Sequence, residues 1–123
     1  MQNIRQYFYK PLKVSEVIKI AKEFNITDEN PYENFPNLYS EWDTKLELNS
    51  ICYLDEDVEI DDDTDDEIYP KFVQENNLKV LCYGMYFIEQ LDYVAKRKEN
   101  FSDQDFLDAL NYYLDKDTYL EFD

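Results

Sequence analysis

One stretch of the sequence decides the fold class: residues 46–54, which read LELNSICYL. The apolar side chains Leu46, Leu48, Cys52 and Leu54 recur at every second position, apart from Ser50. Because successive side chains of a strand point to opposite faces of a sheet, this period predicts a strand with one buried face and one wetter face. The fold must therefore include a β-sheet.

A second strand is predicted at residues 78–83, LKVLCY, which are apolar and β-branched enough for a central strand. We expect this segment to pair with residues 46–54 and to end at Gly84, the only glycine of the chain. Cys52 and Cys82, one on each strand, are interpreted as core thiols. A disulfide between them would require the two strands to be neighbours.

Helices are predicted before, between and after these strands. Ser15 is the expected N-cap of the first helix, a short helix follows at residues 71–76, and another spans about residues 87–98. The last helix has the clearest start signal, because Ser102 stands at its N-cap and Asp105 occupies the capping-box position three residues later.

Three segments connect or flank these elements. Residues 6–9 are predicted as an edge strand or an arm, residues 118–122 as an edge strand, and residues 25–43 as an ordered loop interrupted by prolines. The side chains expected to pin this loop are Tyr32, Phe35, Tyr39 and Trp42. The order of elements predicts an α+β fold in a single domain, residues 1–123, with a small, mainly antiparallel sheet of two to four strands backed by three to four helices.

The composition excludes several classes of function. The chain carries 12 basic and 29 acidic residues, a net charge of -17, and this charge would repel nucleic acids and anionic membranes. With no histidine, it lacks the usual zinc ligand and the base of Ser-His-Asp and Cys-His catalysis. A single glycine cannot build a phosphate-binding loop. We therefore expect a protein that is not an enzyme, holds no cofactor or metal, and binds a basic partner.

The negative charge is concentrated in one segment, the acidic loop of residues 55–67. Ten of its thirteen positions are acidic: Asp55, Glu56, Asp57, Glu59, Asp61, Asp62, Asp63, Asp65, Asp66 and Glu67. Because like charges repel, we expect this loop to be extended or mobile on its own. Tyr53 and Tyr69 bracket the loop and are the candidate aromatic contacts, since tyrosine offers contact area with few rotatable bonds.

Three interpretations of the acidic loop remain open. It could be a solvated segment that keeps the protein soluble, or a docking surface whose carboxylates speed the capture of a basic partner. The third, a calcium loop, fits poorly: counted from Asp61, the glycine position is Asp66 and the bidentate glutamate position is Phe72. We adopt the docking surface as the working hypothesis, with the ten acidic residues and both tyrosines as its contacts.

The sequence also predicts a location. Its longest apolar stretch, at about residues 80–88, is far shorter than the roughly 20 residues of a membrane-spanning helix. The residues after Met1 lack the apolar core of a secretory leader. We therefore expect a cytoplasmic protein.

Three segments resemble a family of small, acidic, uncharacterised bacterial domains. They are residues 14–18 (VSEVI), 70–78 (PKFVQENNL) and 109–113 (ALNYY), followed by Asp117 and Tyr119. These domains are similar in size and charge to the immunity proteins of polymorphic-toxin and contact-dependent growth-inhibition systems. The resemblance implies a cytoplasmic antidote that binds one toxin domain tightly, and it transfers no catalytic residue.

Two functions are therefore expected. The first is an immunity protein that neutralises a cationic toxin domain, with a nuclease as the expected class because its active site must attract phosphate. The alternative is an acidic nucleic-acid mimic that inhibits a host or phage-defence protein. A mimic needs charge spaced along an extended face, whereas this charge lies mainly in one loop, which favours the antidote.

Overall fold

The structure, a computed structural model, describes residues 4–27, 35–41 and 45–121. Its elements are, in chain order, a 3-10 helix Ile4–Tyr7, β1 Leu12–Lys13, α1 Val14–Thr27, β2 Asn37–Ser40, β3 Ile51–Asp55, β4 Glu59–Ile60, β5 Glu67–Ile68, α2 Lys71–Glu75, β6 Lys79–Cys82, α3 Gly84–Arg97 and α4 Asp103–Lys116. Strands β1, β3, β2 and β6 form one antiparallel sheet in that order, and β4 and β5 form a second. The predicted α+β fold is confirmed.

The centre of the large sheet is the short strand β2. Leu38 in β2 lies opposite Leu54 of β3 on one side and opposite Cys82 of β6 on the other. The predicted pairing between the two sequence-derived strands is therefore wrong, because β2 separates them. The prediction of a loop is also wrong for residues 25–27, which belong to α1, and for residues 37–40, which form β2. All four residues of β2 are buried, so this strand shows no alternation of polar and apolar residues.

The strand predicted at residues 46–54 is shorter than expected, since β3 begins only at Ile51. Instead of pairing with a strand, the backbone of Leu46 pairs with the side-chain amide of Asn111 in α4. Asn111 Nδ2 donates to the Leu46 carbonyl at 2.9 Å, and Asn111 Oδ1 accepts from the Leu46 N–H at 3.0 Å. Because both backbone groups are satisfied there, this buried residue needs no sheet partner.

Helices α1, α3 and α4 cover one face of the large sheet and enclose the main core. The Phe87 ring stacks on Phe35 at 5.7 Å between centroids and meets Phe106 edge-on at 5.0 Å. Cys52 and Cys82 are free thiols buried in this core, as predicted. Burial raises the pKa of the Cys52 thiol to about 12, so this cysteine stays protonated and unreactive.

A smaller cluster covers the opposite face of the sheet. It is built from Tyr39, Val73 and Leu78, and α2 contributes Phe72 beside them. The helix predicted at residues 71–76 is confirmed, as α2 Lys71–Glu75. Phe35 and Tyr39 are buried as predicted, whereas Tyr32 and Trp42 lie outside the described residues.

Three predictions concern the residues at which helices begin. The capping box of Ser102 and Asp105 is confirmed, with the Asp105 N–H 3.0 Å from Ser102 Oγ. Ser15 is not the N-cap of α1, because the helix begins at Val14 and the Glu16 carboxylate accepts from the Lys13 N–H at 3.0 Å. Gly84 does not simply end a strand: it is the first residue of α3, which starts about three residues earlier than predicted.

Neither residues 6–9, predicted as an edge strand or an arm, nor the described residues of the segment 118–122 form an edge strand. Residues 4–7 form the 3-10 helix, and Phe8 makes a single parallel bridge to Leu54. Residues 118–121 contain no strand. The chain there is held by a hydrogen bond, because the Tyr93 hydroxyl donates to the Leu120 carbonyl at 2.8 Å.

Candidate binding surface on an acidic hairpin

Most of the predicted acidic loop folds into a two-stranded ribbon, which we call the acidic hairpin (residues 56–68). Glu59 pairs with Ile68 and Ile60 with Glu67, and all four side chains are exposed. The predicted loop thus contains a short pair of strands, and its mobility stays a prediction. The hairpin presents side chains from both of its faces to solvent.

Hydrogen bonds from the acidic residues themselves close the turn of the hairpin. The Asp61 N–H donates to the Asp66 carbonyl at 2.9 Å, and Asp61 Oδ1 accepts from the N–H groups of Asp63 and Thr64 at 2.8 and 3.2 Å. Asp65 has a φ of 61°, a left-handed conformation that aspartate tolerates better than most residues. Carboxylates that repel one another thus also provide the acceptors that stabilise this turn.

One end of the hairpin is anchored to the large sheet. The Asn37 amide Nδ2 donates to Asp57 Oδ1 at 2.9 Å, and the Tyr39 hydroxyl donates to the Glu56 carbonyl at 2.5 Å. Burial raises the pKa of Tyr39 to about 12, so its hydroxyl keeps the donated proton at any physiological pH. The hairpin base therefore has a defined position on the sheet.

Nine of the ten predicted acidic contacts lie at the protein surface. Asp61 is partly exposed and the others are exposed: Glu56, Asp57, Glu59, Asp62, Asp63, Asp65, Asp66 and Glu67. Among the residues that the structure describes, the one ion pair of this group joins Glu56 to Arg5, with Oε1 and Nη1 2.5 Å apart. The negative charge of the hairpin is thus largely left without an internal counter-charge.

Asp55 differs from the other nine because it is buried, with only 2% of its surface exposed. Its Oδ1 accepts from the Glu56 N–H at 2.7 Å, while its Oδ2 has no hydrogen-bond partner in the described part of the chain. Burial raises the pKa of this carboxyl, and the hydrogen bond from the Glu56 N–H, with a smaller contribution from Arg5, offsets only part of the effect. We therefore leave Asp55 out of the binding surface.

The two predicted tyrosines lie at the base of the hairpin with different surroundings. Tyr53 packs against Phe72, with ring centroids 5.6 Å apart, and belongs mainly to the small cluster. Tyr69 is half-buried, and its hydroxyl donates to Glu67 Oε2 at 2.7 Å. This bond to a carboxylate raises the pKa of Tyr69.

Three exposed apolar or aromatic residues near the hairpin were missed by the sequence predictions. Ile60 and Ile68 on its strands are 57% and 42% exposed, and Tyr83 at the start of α3 is 39% exposed. Partial burial raises the pKa of Tyr83, and the carboxylates of Glu67 and Asp57 add to the effect. The sequence signal for this apolar surface was the presence of Ile60 and Ile68 in a mostly acidic run, where solubility alone requires no isoleucine.

Neither a metal-ligand group nor a membrane-spanning helix is present in the described residues. Within residues 4–27, 35–41 and 45–121, no group of three or more carboxylates or thiols is arranged to hold a metal ion. No helix in the same residues is long and apolar enough to cross a membrane. The chemistry that the arrangement offers is the binding of cationic groups, with apolar contacts beside them.

Fold and surface together define an α+β domain that displays a projecting acidic hairpin. Residues 12–122 match the family described as Domain of unknown function (DUF7716), and the chain belongs to this family. Neither the curated proteins nor the solved structures contain a match to the chain. The family thus covers the whole large sheet and the acidic hairpin.

Proposed function

We propose that this protein is a cytoplasmic immunity protein that binds and neutralises a cationic toxin domain. One observation carries the proposal: the nine surface carboxylates at residues 56–67 project on an anchored hairpin, and a single internal ion pair compensates them among the described residues. Such a surface attracts a basic protein over several ångströms before contact and repels acidic competitors.

A nuclease is the class of toxin that this surface fits best. Its active site must be basic to attract the phosphates of its substrate, so a compact set of carboxylates can cover the same site. Occlusion would need no catalysis by the immunity protein. The compact placement of charge in one hairpin supports this function over the alternative, a nucleic-acid mimic with charge along an extended face.

Two kinds of contact would contribute differently to binding. The carboxylates raise the association rate through long-range attraction, and this effect weakens with salt. The exposed side chains of Ile60 and Ile68 and the half-buried ring of Tyr69 give apolar area that is buried on contact and slows dissociation. Fast capture and slow release are the properties that an antidote requires.

The test uses the protein encoded next to this gene as the candidate toxin. Co-expression with this chain is expected to restore the growth of cells that produce the toxin domain. Growth arrest that this chain never relieves, or a neighbouring product that it does not bind, would contradict the proposal.

A charge variant then tests the hairpin itself. Replacing Asp61, Asp62, Asp63, Asp65 and Asp66 by Asn should lower the association rate constant about tenfold at low salt and flatten its salt dependence. Asparagine keeps the Oδ1 acceptor at position 61 and tolerates the left-handed conformation at position 65, so the turn is retained.

The matched control changes the net charge by the same amount elsewhere. It replaces five exposed glutamates by Gln: Glu23, Glu41, Glu47, Glu99 and Glu121. This variant should bind faster than the hairpin variant at every salt concentration. Equal rates for the two variants would show that only the total charge matters and that the hairpin is not the docking surface.

A further inference from the structure

A groove of about 840 Å³ lies between strand β6 and helix α4, and none of the residues that line it belongs to the acidic hairpin. Val80, Leu81 and Cys82 of β6 form part of its lining on the sheet side, and Tyr112 and Leu114 of α4 line it on the helix side. Tyr112 and Leu114 are 38% and 40% exposed, so apolar surface on the helix wall remains open to solvent.

The sheet side of this groove is an edge strand. β6 pairs with β2 on one side only, and no other described residue makes a backbone hydrogen bond to residues 79–82. An edge strand offers N–H and C=O groups in a row, and an extended peptide can add to them as a further strand. A helix lying in the groove would leave these groups unused.

The net charge of the chain, -17, favours a basic occupant. The groove itself is nearly neutral: Asp108 and Asp115 line its helix wall, Lys45 lies in the lining, Lys116 is 3.4 Å from Asp115, and Lys79 is on β6. Tyr83, the residue before α3, also lines the groove. A partner segment in the groove therefore meets an aromatic ring and carboxylates together.

We propose that an extended segment of the cationic partner, carrying lysine or arginine, adds to β6 in this groove while the body of the partner meets the acidic hairpin. The inference rests on the proposed function, because it takes the partner to be a basic protein. A second copy of this chain is a poor occupant, since two molecules of charge -17 repel each other.

The experiment titrates the ¹⁵N-labelled full chain with an acetylated, amidated peptide of about seven alternating lysines and valines. Strand addition should shift the amide signals of residues 79–83 and slow their hydrogen exchange. The control is a peptide of the same sequence and charge that is N-methylated at alternate backbone nitrogens. This control peptide should cause neither effect, because it cannot form the strand hydrogen bonds. Equal binding of both peptides at these residues would overturn the inference.

A pair of substitutions separates the groove from general electrostatics. Leu114→Lys adds a positive charge inside the groove and should weaken peptide binding by about tenfold. Met85→Lys adds the same charge at a residue of α3 that is 49% exposed and does not line the groove, and it should change binding by less than about twofold. Equal effects of the two variants would overturn the inference.

The pattern of shifts distinguishes failure of the inference from failure of the proposed function. Shifts confined to residues 56–68 would refute the groove and leave the acidic hairpin as the docking surface. Shifts confined to residues 79–83, 112 and 114 would support the groove and contradict the hairpin. Concentration-dependent shifts at residues 79–83 without peptide would identify a second copy as the occupant and overturn the inference.

Discussion

The side chain of Asn37 caps the helix that begins at Gly84, although 47 residues separate the two in sequence. Asn37 Oδ1 accepts from the Gly84 N–H at 2.8 Å, and the same amide donates through Nδ2 to Asp57. The residue at the N-cap position itself, Tyr83, makes no side-chain cap. One buried asparagine thus ties the start of α3 to the base of the acidic hairpin.

Replacing Asn37 by Asp tests this double role. The variant keeps the Oδ1 acceptor for Gly84 but places a carboxylate against Asp57, so we expect α3 to remain capped and the hairpin to loosen. Hydrogen exchange of the Asp61 amide, which donates to the Asp66 carbonyl across the hairpin, should become faster, while exchange at the start of α3 changes little. Unchanged exchange in the hairpin would show that this bond does not anchor it.

Replacing Gly84 by Ala tests the close approach of α3 to the chain before β2. A Cβ at this position would overlap the carbonyl oxygens of Phe35 and Pro36, which are backbone atoms that cannot rotate away. We expect a loss of about 2–3 kcal/mol in the free energy of unfolding, measured by urea denaturation. The control Met85→Ala, at an exposed neighbour, should stay within about 0.5 kcal/mol of the wild type. A Gly84→Ala protein as stable as this control would disprove the overlap.

Replacing Asp55 by Asn should stabilise the protein at neutral pH. Burial raises the pKa of this carboxyl above its ordinary value of 3.8, so the folded state binds its proton more tightly than the unfolded state. The free energy of unfolding of the wild type therefore falls as the pH rises through the window above 3.8. Because asparagine does not ionise, the free energy of unfolding of the variant should exceed that of the wild type by about 1 kcal/mol at neutral pH.

The measurement is urea unfolding of both proteins over a series of pH values. The advantage of the Asp55→Asn variant should shrink as the medium is acidified, because the wild-type carboxyl then becomes neutral as well. Asp62→Asn, at an exposed position, is the control and should stay within about 0.5 kcal/mol of the wild type. An advantage that grows on acidification would refute the raised pKa.

Replacing Asn111 by Ala removes the two hydrogen bonds that satisfy the backbone of Leu46. Because Leu46 is buried, its N–H and C=O would lose partners without gaining full access to water, and we expect a cost of about 1–3 kcal/mol. Gln104→Ala, which removes only an exposed bond to Asp108, should cost less than about 0.5 kcal/mol. Similar unfolding curves for the two variants would contradict this role of Asn111.

The candidate surface was predicted from the sequence in part. The negative charge of residues 55–67 and the contact residue Tyr69 were both predicted. Both depend on residue type, which the sequence gives directly. The burial of Asp55 could not be predicted, since the residue reads like its nine acidic neighbours. Asp55 is buried because it lies at the end of β3, opposite Asn37 of β2.

The sequence by itself determined the elements whose signals are local. The alternation around Cys52, the capping box of Ser102 and the short helix after Pro70 depend on residues close in the chain, so each could be predicted. Composition likewise determined the net charge and the concentration of carboxylates in one segment.

Only the tertiary structure decided which strands are neighbours and what the long-range side chains do. β2 is the central strand because it pairs on both edges with strands that are distant in sequence. With only four residues, it is too short to show a periodic pattern in the sequence. The bonds of Asn37 to Gly84 and of Asn111 to Leu46 join residues 47 and 65 positions apart. Hydrogen bonds across such distances depend on the packed fold, and no local pattern in the chain encodes them.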